Sequence, residues 1–219
     1  MIHLILNTMK VCEIFTSIQG ESTFAGQLST FIRFSGCNLR CSYCDTKYAY
    51  AGGTELTEQE IMNEVSIVGV NLISITGGEP LLQEGVFHLV EKFLNEGHKV
   101  LIETNGSLSI KDVDPRAVII MDVKTPASNM SEDLDMSNLD FLKPSDEVKF
   151  VIVDRKDYEW ARDFVREYRL REGSKVLFSP AFGLMEPSEL ANWMIQDRLD
   201  TIFNLQTHKY IFGPDKKGV

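Results

Sequence analysis

Short apolar segments alternate with amphipathic segments along most of this chain, and the alternation limits the folds that it can adopt. The apolar segments have the length and composition of strands, and they cover residues 11–16, 28–35, 71–76, 99–103, 117–123, 147–153, 175–179 and 201–205. Between them, apolar residues recur at helical spacing. Strands that alternate with helices favour right-handed crossovers and a parallel sheet.

Local signals indicate where the helices begin and end. Thr57 and Glu60 have the spacing of a capping box, which predicts a helix from residue 57 to about residue 68. A second helix is predicted over residues 82–94, with Gly97 as its C-terminal cap. A third begins after Asp154 and is ended by Gly173, and a fourth covers residues 187–198. The polar region 127–145 predicts loops with a short helix.

The chain length decides between a closed and an open barrel. With 219 residues, the sequence fits one domain that spans residues 1–219, and a closed eight-fold barrel would be crowded in that length. We therefore predict an α/β fold, an open, partial (β/α)6 TIM-like barrel of about six parallel strands. Polar and glycine-rich groups follow several strands, at the end where such folds place active sites.

Three of the four cysteines lie within eight residues, as Cys37, Cys41 and Cys44, in the spacing C-x3-C-x2-C. Thiolates at this spacing are typical iron–sulfur ligands, and three of them leave one iron of a four-iron cluster open for chemistry. Zinc is the alternative, but a structural zinc site needs four ligands, and the sequence has no second C-x2-C or nearby histidine pair. Cys12 lies in an apolar segment and is predicted to be buried rather than a fourth ligand.

Charge and hydropathy exclude some functions. The net charge of −10 argues against general nucleic-acid binding, which needs a basic surface. No apolar run approaches the ~18 residues of a membrane span. Residues 1–6 lack a basic leader and a cleavage site, so we expect no signal peptide. Together with the crowded cysteines, these features predict a protein of the reducing cytoplasm.

The segment Thr76-Gly77-Gly78-Glu79-Pro80 follows the strand after the cysteines. Glycines let a backbone approach a ligand closely, and a carboxylate such as that of Glu79 can accept hydrogen bonds from an ammonium group. Taken alone, the same residues could form only a strand-to-helix turn with a proline at the helix start.

Together, the cysteine motif and this glycine-rich segment resemble the radical S-adenosylmethionine superfamily, in which an aromatic residue such as Tyr43 commonly precedes the last cysteine. The resemblance implies a [4Fe-4S] cluster that binds S-adenosylmethionine through its open iron. Two further segments, Gln19-Gly20-Glu21 and Cys44-Asp45-Thr46, resemble the 7-carboxy-7-deazaguanine synthases of that superfamily. Residues 31–39, 103–106, 122–124 and 206–210 agree, so the resemblance covers nearly the whole chain.

The family resemblance implies a set of site residues. Those expected around S-adenosylmethionine are Tyr43, Cys44, Asp45, Gly78, Glu79, Asp122, Val123 and Lys124. Those expected around the substrate, 6-carboxy-5,6,7,8-tetrahydropterin, are Ile18, Gln19, Gly20, Glu21, Arg33, Thr76, Gln206 and His208. The hydroxyl of Thr46 is expected to bind Mg2+, which accepts few protein ligands and prefers hard oxygen.

Several of these residues keep a second interpretation. Arg33 suits a substrate carboxylate but could form a structural ion pair. Thr46 could only cap or turn its loop. Gln206 and His208 either touch the substrate or only hold the C-terminal segment in place.

By family precedent, S-adenosylmethionine is split to a 5′-deoxyadenosyl radical that takes hydrogen from C6 of the pterin. Ring contraction, return of the hydrogen and loss of ammonia follow, which makes the enzyme a carbon–nitrogen lyase in queuosine biosynthesis. A reductant such as flavodoxin or ferredoxin and a homodimer are expected. Two alternatives stay open, namely an activase that makes a glycyl radical on a partner enzyme, and a non-catalytic metal-binding or redox module.

Overall fold

A nine-stranded sheet forms the centre of the protein in the computed structural model, which describes residues 8–219. The strands are β1 (Thr8–Ile18), β2 (Leu28–Phe34), β3 (Thr54–Thr57), β4 (Leu72–Gly77), β5 (Lys99–Thr104), β6 (Val118–Asp122), β7 (Glu147–Ile152), β8 (Lys175–Pro180) and β9 (Ile202–Phe203). The helices are α1 (Glu58–Val68), α2 (Val86–Asn95), α3 (Arg155–Glu167), α4 (Pro187–Gln196) and α5 (Thr207–Phe212). Residues 1–6, to which the signal-peptide prediction refers, lie outside the described residues.

The sheet has the order β3-β1-β2-β4-β5-β6-β7-β8-β9, and every pairing from β2 to β9 is parallel. Among the described residues, β3 and β9 are edge strands that do not pair with each other, so the barrel is open. The predicted open, partial barrel is confirmed. No helix within residues 8–219 is both long and apolar enough to cross a bilayer.

The structure corrects the prediction in four places. β1 pairs antiparallel with β2 and with β3, a short, polar edge strand that the sequence pattern did not reveal. α2 begins at Val86 rather than at residue 82, because Pro80 starts a separate 3-10 turn. α5 follows the last strand and was not predicted. Cys12 is half-buried rather than buried, since the β1–β2 register shifts between Val11 and Glu13 and places Cys12 at a β-bulge.

Alternation along the parallel strands gives the barrel two different faces. Outward-facing residues pack against the helices in one large apolar core, which includes Ile75, Ile102, Met121, Phe150 and Phe178. Inward-facing residues become polar towards the carboxyl ends of the strands. The helices therefore stabilise the barrel from outside and leave its inner face available for a site.

The loop between β1 and β2, residues 19–27, closes the amino-terminal end of the barrel, and we call it the plug loop. Phe24 lies in a small inner cluster with Leu72, Leu101, Val118 and Ile120. The backbone N–H of Thr23 donates to both carboxylate oxygens of the buried Glu147, at 3.2 Å each. The plug loop thus fills the bottom of the barrel, while its first residues, from Gln19 onwards, face the opposite end.

Candidate active site

A cavity of about 280 Å³ opens at the carboxyl ends of the parallel strands. Most of the predicted site residues line it, and these are Ile18, Gln19, Gly20, Glu21, Arg33, Cys37, Cys41, Tyr43, Cys44, Asp45, Thr46, Thr76, Gly78, Asp122, Lys124, Gln206 and His208. Glu79 and Val123 are absent from the lining. The fold therefore brings segments that are far apart in the sequence to one place.

The cysteine loop occupies one wall of this cavity. Cys37, Cys41 and Cys44 are free and half-buried. Burial raises the pKa of the Cys37 and Cys41 thiols, so a metal must displace a proton from each. The Arg40 guanidinium holds the loop by donating to the carbonyls of Cys37 at 2.8 Å and of Leu39 at 2.7 Å. No three His, Cys, Asp or Glu side chains in the described part of the chain converge on a single ion, but a cluster places each thiolate on a separate iron.

Two glycines let the end of β4 lie directly against the cysteine loop. A Cβ on Gly77 would come within 2.4 Å of the Phe34 carbonyl oxygen. A Cβ on Gly78 would come within 2.1 Å of the Gly36 oxygen and 2.7 Å of the Cys37 Cβ. Because most of these neighbours are backbone atoms, they cannot move aside. The glycine pair is therefore required for packing as well as for any approach to a ligand.

Glu79, which is expected beside S-adenosylmethionine, does not itself line the cavity. It is fully buried and accepts hydrogen bonds from the Leu81 N–H at 3.0 Å, the Thr104 hydroxyl at 2.9 Å and the Asn105 N–H at 2.7 Å. Burial raises its pKa. Glu79 thus ties the end of β4 to the end of β5. Val123 points outward into the apolar core, because the alternation that turns Asp122 and Lys124 inward turns Val123 away.

One carboxylate organises the predicted substrate side of the cavity. Glu103 accepts a hydrogen bond from the Gln19 amide at 3.1 Å and another from the Thr76 hydroxyl at 3.0 Å. Gln19 also donates to the Ser74 hydroxyl at 3.1 Å and accepts from the Glu21 N–H at 3.0 Å. Glu103 was not among the predicted site residues, although its segment 103–106 carried part of the family resemblance.

The contacts of Arg33 fit both a structural ion pair and a place in the substrate site. Its Nε donates to Glu13 on the neighbouring strand at 2.8 Å, and the two residues are paired in the β1–β2 register. Its guanidinium carbon lies 5.7 Å from the Phe15 ring centre and 5.9 Å from that of Tyr48. Arg33 is therefore held by a structural ion pair and also lines the cavity.

Charged side chains form a continuous chain across the cavity wall. Lys149 lies 2.6 Å from Glu21 Oε2 and 3.3 Å from Asp122 Oδ2, and Asp122 also pairs with Lys124 at 3.0 Å. Burial alone would raise the pKa of Glu21, but the charge of Lys149 lowers it to about 2. Burial alone would lower the pKa of Lys124, but Asp122 raises it, so Lys124 stays charged.

Helix α5 connects the plug loop to the cysteine loop. The Thr207 N–H donates to the Gly20 carbonyl at 2.8 Å, and a Cβ on Gly20 would come within 2.1 Å of His208 Nδ1. Lys209 donates to Asp45 and, at 3.0 Å, to Gln206. The partial burial of Asp45 would raise its pKa, but Lys209 lowers it to about 2.

The Thr46 hydroxyl donates to Asp45 Oδ1 at 2.9 Å. Thr46 precedes a 3-10 turn, Lys47–Tyr50, but its side chain makes no capping hydrogen bond to that turn. With its proton directed at a carboxylate, the hydroxyl oxygen keeps lone pairs for another partner. The arrangement suits a hard cation such as Mg2+.

Two buried polar atoms in the cavity wall fit a bound ligand. The Tyr43 hydroxyl and Asp122 Oδ1 are shielded from solvent and have no hydrogen-bond partner among the described residues. Burial raises the pKa of Tyr43 to about 12, so its hydroxyl is a donor at neutral pH. Buried groups of this kind are normally satisfied, and a ribose or adenine could supply the missing partners.

The sequence reasoning missed several lining residues, among them Phe15, Glu103, Asn105, Lys149 and Lys209. Glu103 and Lys149 face inward within strands, and the period-two alternation was the signal that could have identified them. Lys209 lies in α5, a helix that was not predicted, although its segment 206–210 carried part of the family resemblance.

The family comparisons agree with this geometry. The radical SAM superfamily model matches residues 31–178. A 7-carboxy-7-deazaguanine synthase of Koribacter versatilis is 45% identical over an alignment that covers 96% of this chain and 100% of the relative. The synthase of Chlorobaculum tepidum is 42% identical, with 96% and 97% covered.

Solved structures support the fold. The crystal structure of QueE from Escherichia coli has a TM-score of 0.77 at 19% identity and covers 92% of this chain and 95% of that chain. Streptococcus suis SuiB bound to S-adenosylmethionine has a TM-score of 0.53 at 16% identity, over 76% of this chain and 44% of that chain. With the identity and coverage of the curated relatives, these results establish that the chain belongs to the radical S-adenosylmethionine superfamily and, within it, to the 7-carboxy-7-deazaguanine synthases.

Proposed function

We propose that this enzyme converts 6-carboxy-5,6,7,8-tetrahydropterin into 7-carboxy-7-deazaguanine with loss of ammonia. The observation that carries the proposal is that one cavity joins the three cysteines to the segment Gln19–Glu21 and to Thr46. A cluster alone would be compatible with many reactions, but these additional residues belong to the pattern of the synthase family. One relative of that name is 45% identical over its full length.

The cysteine side of the cavity would hold the cofactors. Cys37, Cys41 and Cys44 would bind a [4Fe-4S] cluster, and the buried, unpartnered atoms of Tyr43 and Asp122 suit S-adenosylmethionine. When bound, a reduced cluster and S-adenosylmethionine supply a carbon radical that abstracts hydrogen from the substrate. The protein excludes water around this chemistry and fixes the distance between cofactor and substrate.

The opposite side would orient the pterin. The guanidinium of Arg33 suits the substrate carboxylate, because only its Nε is engaged with Glu13 in the described part of the chain. Gln19 and Thr76 are fixed by Glu103, so their polar atoms are already oriented before a ligand arrives. This preorganisation lowers the cost of ordering the site when the substrate binds.

A magnesium ion would lie between the loop and the substrate. Thr46 is the proposed protein ligand, and its hydroxyl donates a hydrogen bond to Asp45. Substrate oxygens and water would complete the coordination, as Mg2+ usually requires. The ion would stabilise negative charge on the substrate.

The remaining expectations concern the cellular context. A reductant such as flavodoxin or ferredoxin would supply the electron, and a reducing cytoplasm would protect the thiolates. A homodimer is proposed from the family resemblance. The small pterin substrate requires neither nucleic acid nor a membrane.

The test is an anaerobic assay of protein with a reconstituted cluster. We expect 7-carboxy-7-deazaguanine and ammonia from the pterin, S-adenosylmethionine, Mg2+ and dithionite, and no product from Cys41→Ala. Product formation is also compared with and without Mg2+. If removal of Mg2+ lowers it more in wild type than in Thr46→Ala, the result supports the magnesium site. Cleavage of S-adenosylmethionine without deazaguanine would contradict the proposal and favour a glycyl-radical activase.

A further inference from the structure

Lys149 is a buried cation in the cavity that none of the family motifs includes. Its side chain is 11% exposed, and its Nζ lies 2.6 Å from Glu21 and 3.3 Å from Asp122. Placing an ammonium group in such a site is unfavourable unless carboxylates surround it. Here both carboxylates belong to the cavity wall itself.

The topology explains why one lysine can reach two sides of the site. Lys149 on β7 is paired in register with Asp122 on β6, so both side chains lie on the inner face of the barrel. Glu21 comes from the plug loop, which enters the barrel from the antiparallel hairpin. Lys149 is therefore the direct link between the wall proposed for the pterin and the wall proposed for S-adenosylmethionine.

Acidic side chains surround the ammonium group of Lys149. Lys149 faces Glu21 and Asp122 at contact distance and Glu103 farther away. Burial alone would lower the pKa of Lys149, but these acids raise it well above the ordinary value. Glu21 faces Lys149 and also His208, from α5. Removal of Lys149 would leave Glu21 with the Gln206 amide and Asp122 with Lys124, so the two carboxylates would no longer be held by a shared cation.

We propose that Lys149 is a positioning residue that holds Glu21 and Asp122 in place together and so couples the substrate site to the S-adenosylmethionine site. This inference rests on the proposed function, because it assigns the two walls to the two ligands. Lys149 acts through its carboxylate partners and is not required to touch either ligand.

The main test compares Lys149→Met with wild type in steady-state assays. The KM values for the pterin and for S-adenosylmethionine should both rise by about 10- to 100-fold, because both walls lose their alignment. Lys143→Met is the matched control, since Lys143 also pairs with a buried acid, Asp146 at 2.5 Å, but does not line the cavity. Its KM values should stay within about twofold of wild type. Equal KM values in Lys149→Met and wild type would overturn the inference.

A double-mutant cycle with Glu21→Gln separates positioning from general damage to the fold. If Lys149 acts through Glu21, Lys149→Met should raise the pterin KM much less in the Glu21→Gln background than in wild type. Equal fold-changes in both backgrounds would contradict the inference. Iron content, measured for each variant, shows whether the cluster is retained.

The pH profile gives an independent readout. In wild type Glu21 stays ionised down to about pH 2, so it adds no acid limb in the working range. Without Lys149 its pKa rises, and the acid limb of kcat/KM for the pterin should move to higher pH. An unmoved acid limb would contradict the proposal.

Formation of 7-carboxy-7-deazaguanine by the wild-type enzyme is measured separately. Failure of the proposed function can therefore be distinguished from failure of this inference.

Discussion

At the residue scale, the structure gives the two glycines after β4 a role that precedes catalysis. Gly78 lies against Gly36 and Cys37, so the first cysteine of the loop is positioned by a strand end more than thirty residues later in the chain. The same strand end is tied to β5 by Glu79. The geometry of the cysteine loop therefore depends on contacts with β4 and β5 that exist without the cluster.

We predict that Gly78→Ala impairs cluster binding more than it impairs folding. The added methyl group would meet a carbonyl oxygen that cannot move, and such overpacking typically costs about 1–3 kcal/mol. Iron content after reconstitution should fall sharply, while the far-ultraviolet circular dichroism stays close to that of wild type. Gly173→Ala is the control, because a Cβ there meets no atom within 4 Å. Similar iron content in the two variants would refute the prediction.

The sequence predicted the site residues that lie in local motifs better than those that act through contacts with distant segments. Motif residues such as Gln19, Arg33 and Thr46 were found because their neighbours in the sequence resemble a family. Lys149 has no such local signature, and Glu103 lies in the resembling segment 103–106 but was not singled out there. The importance of both arises from side-chain pairing between segments that are distant in the sequence. Glu79 belongs to a motif, but the sequence did not reveal that its carboxylate also joins the end of β4 to the end of β5.

At the element scale, strong local signals gave the correct helices and parallel strands. The capping box of Thr57 and Glu60 and the Asp154 cap are present in the structure. The elements that were missed, β3 and α5, are short and partly exposed, so neither carries a clear apolar period. Their stability comes from tertiary contacts, such as the bonds from Thr207 to Gly20, which a local pattern cannot reveal.

Helix α5 is expected to stabilise the cysteine loop through Lys209. We predict that Lys209→Met, which breaks the bonds to Asp45 and Gln206, speeds amide hydrogen exchange in residues 41–46 by about fivefold, or about 1 kcal/mol. The effect is small because Asp45 is 48% exposed. Lys216→Met is the control, because Lys216 forms no ion pair in the described part of the chain and should leave this exchange unchanged. Identical exchange in both variants would count against a role for α5.

At the scale of the whole molecule, the plug loop is the feature that makes an open barrel stable. An open barrel has no full ring of strands to fill its amino-terminal end, and Phe24 supplies the missing apolar contacts there. The loop also carries Gln19 and Glu21 into the cavity. The plug loop therefore both stabilises the amino-terminal end of the barrel and aligns the proposed substrate wall of the cavity.

Phe24→Ala should accordingly affect both properties. Loss of a buried Phe side chain typically costs about 3–5 kcal/mol in the free energy of unfolding, because it leaves a cavity. The control is Phe141→Ala, at a position that is 41% exposed, where the cost should stay below about 1 kcal/mol. Chemical denaturation of the two variants measures this difference.

The pterin KM of Phe24→Ala should also rise, whereas the KM for S-adenosylmethionine should change less, because the plug loop forms the substrate wall. If denaturation shows the expected loss but both KM values match those of wild type, the plug loop stabilises the fold without aligning Gln19 and Glu21. If Phe24→Ala and Phe141→Ala lose equal stability, the barrel does not depend on the plug. Only a combined loss of stability and pterin affinity agrees with a segment that serves both ends of the barrel.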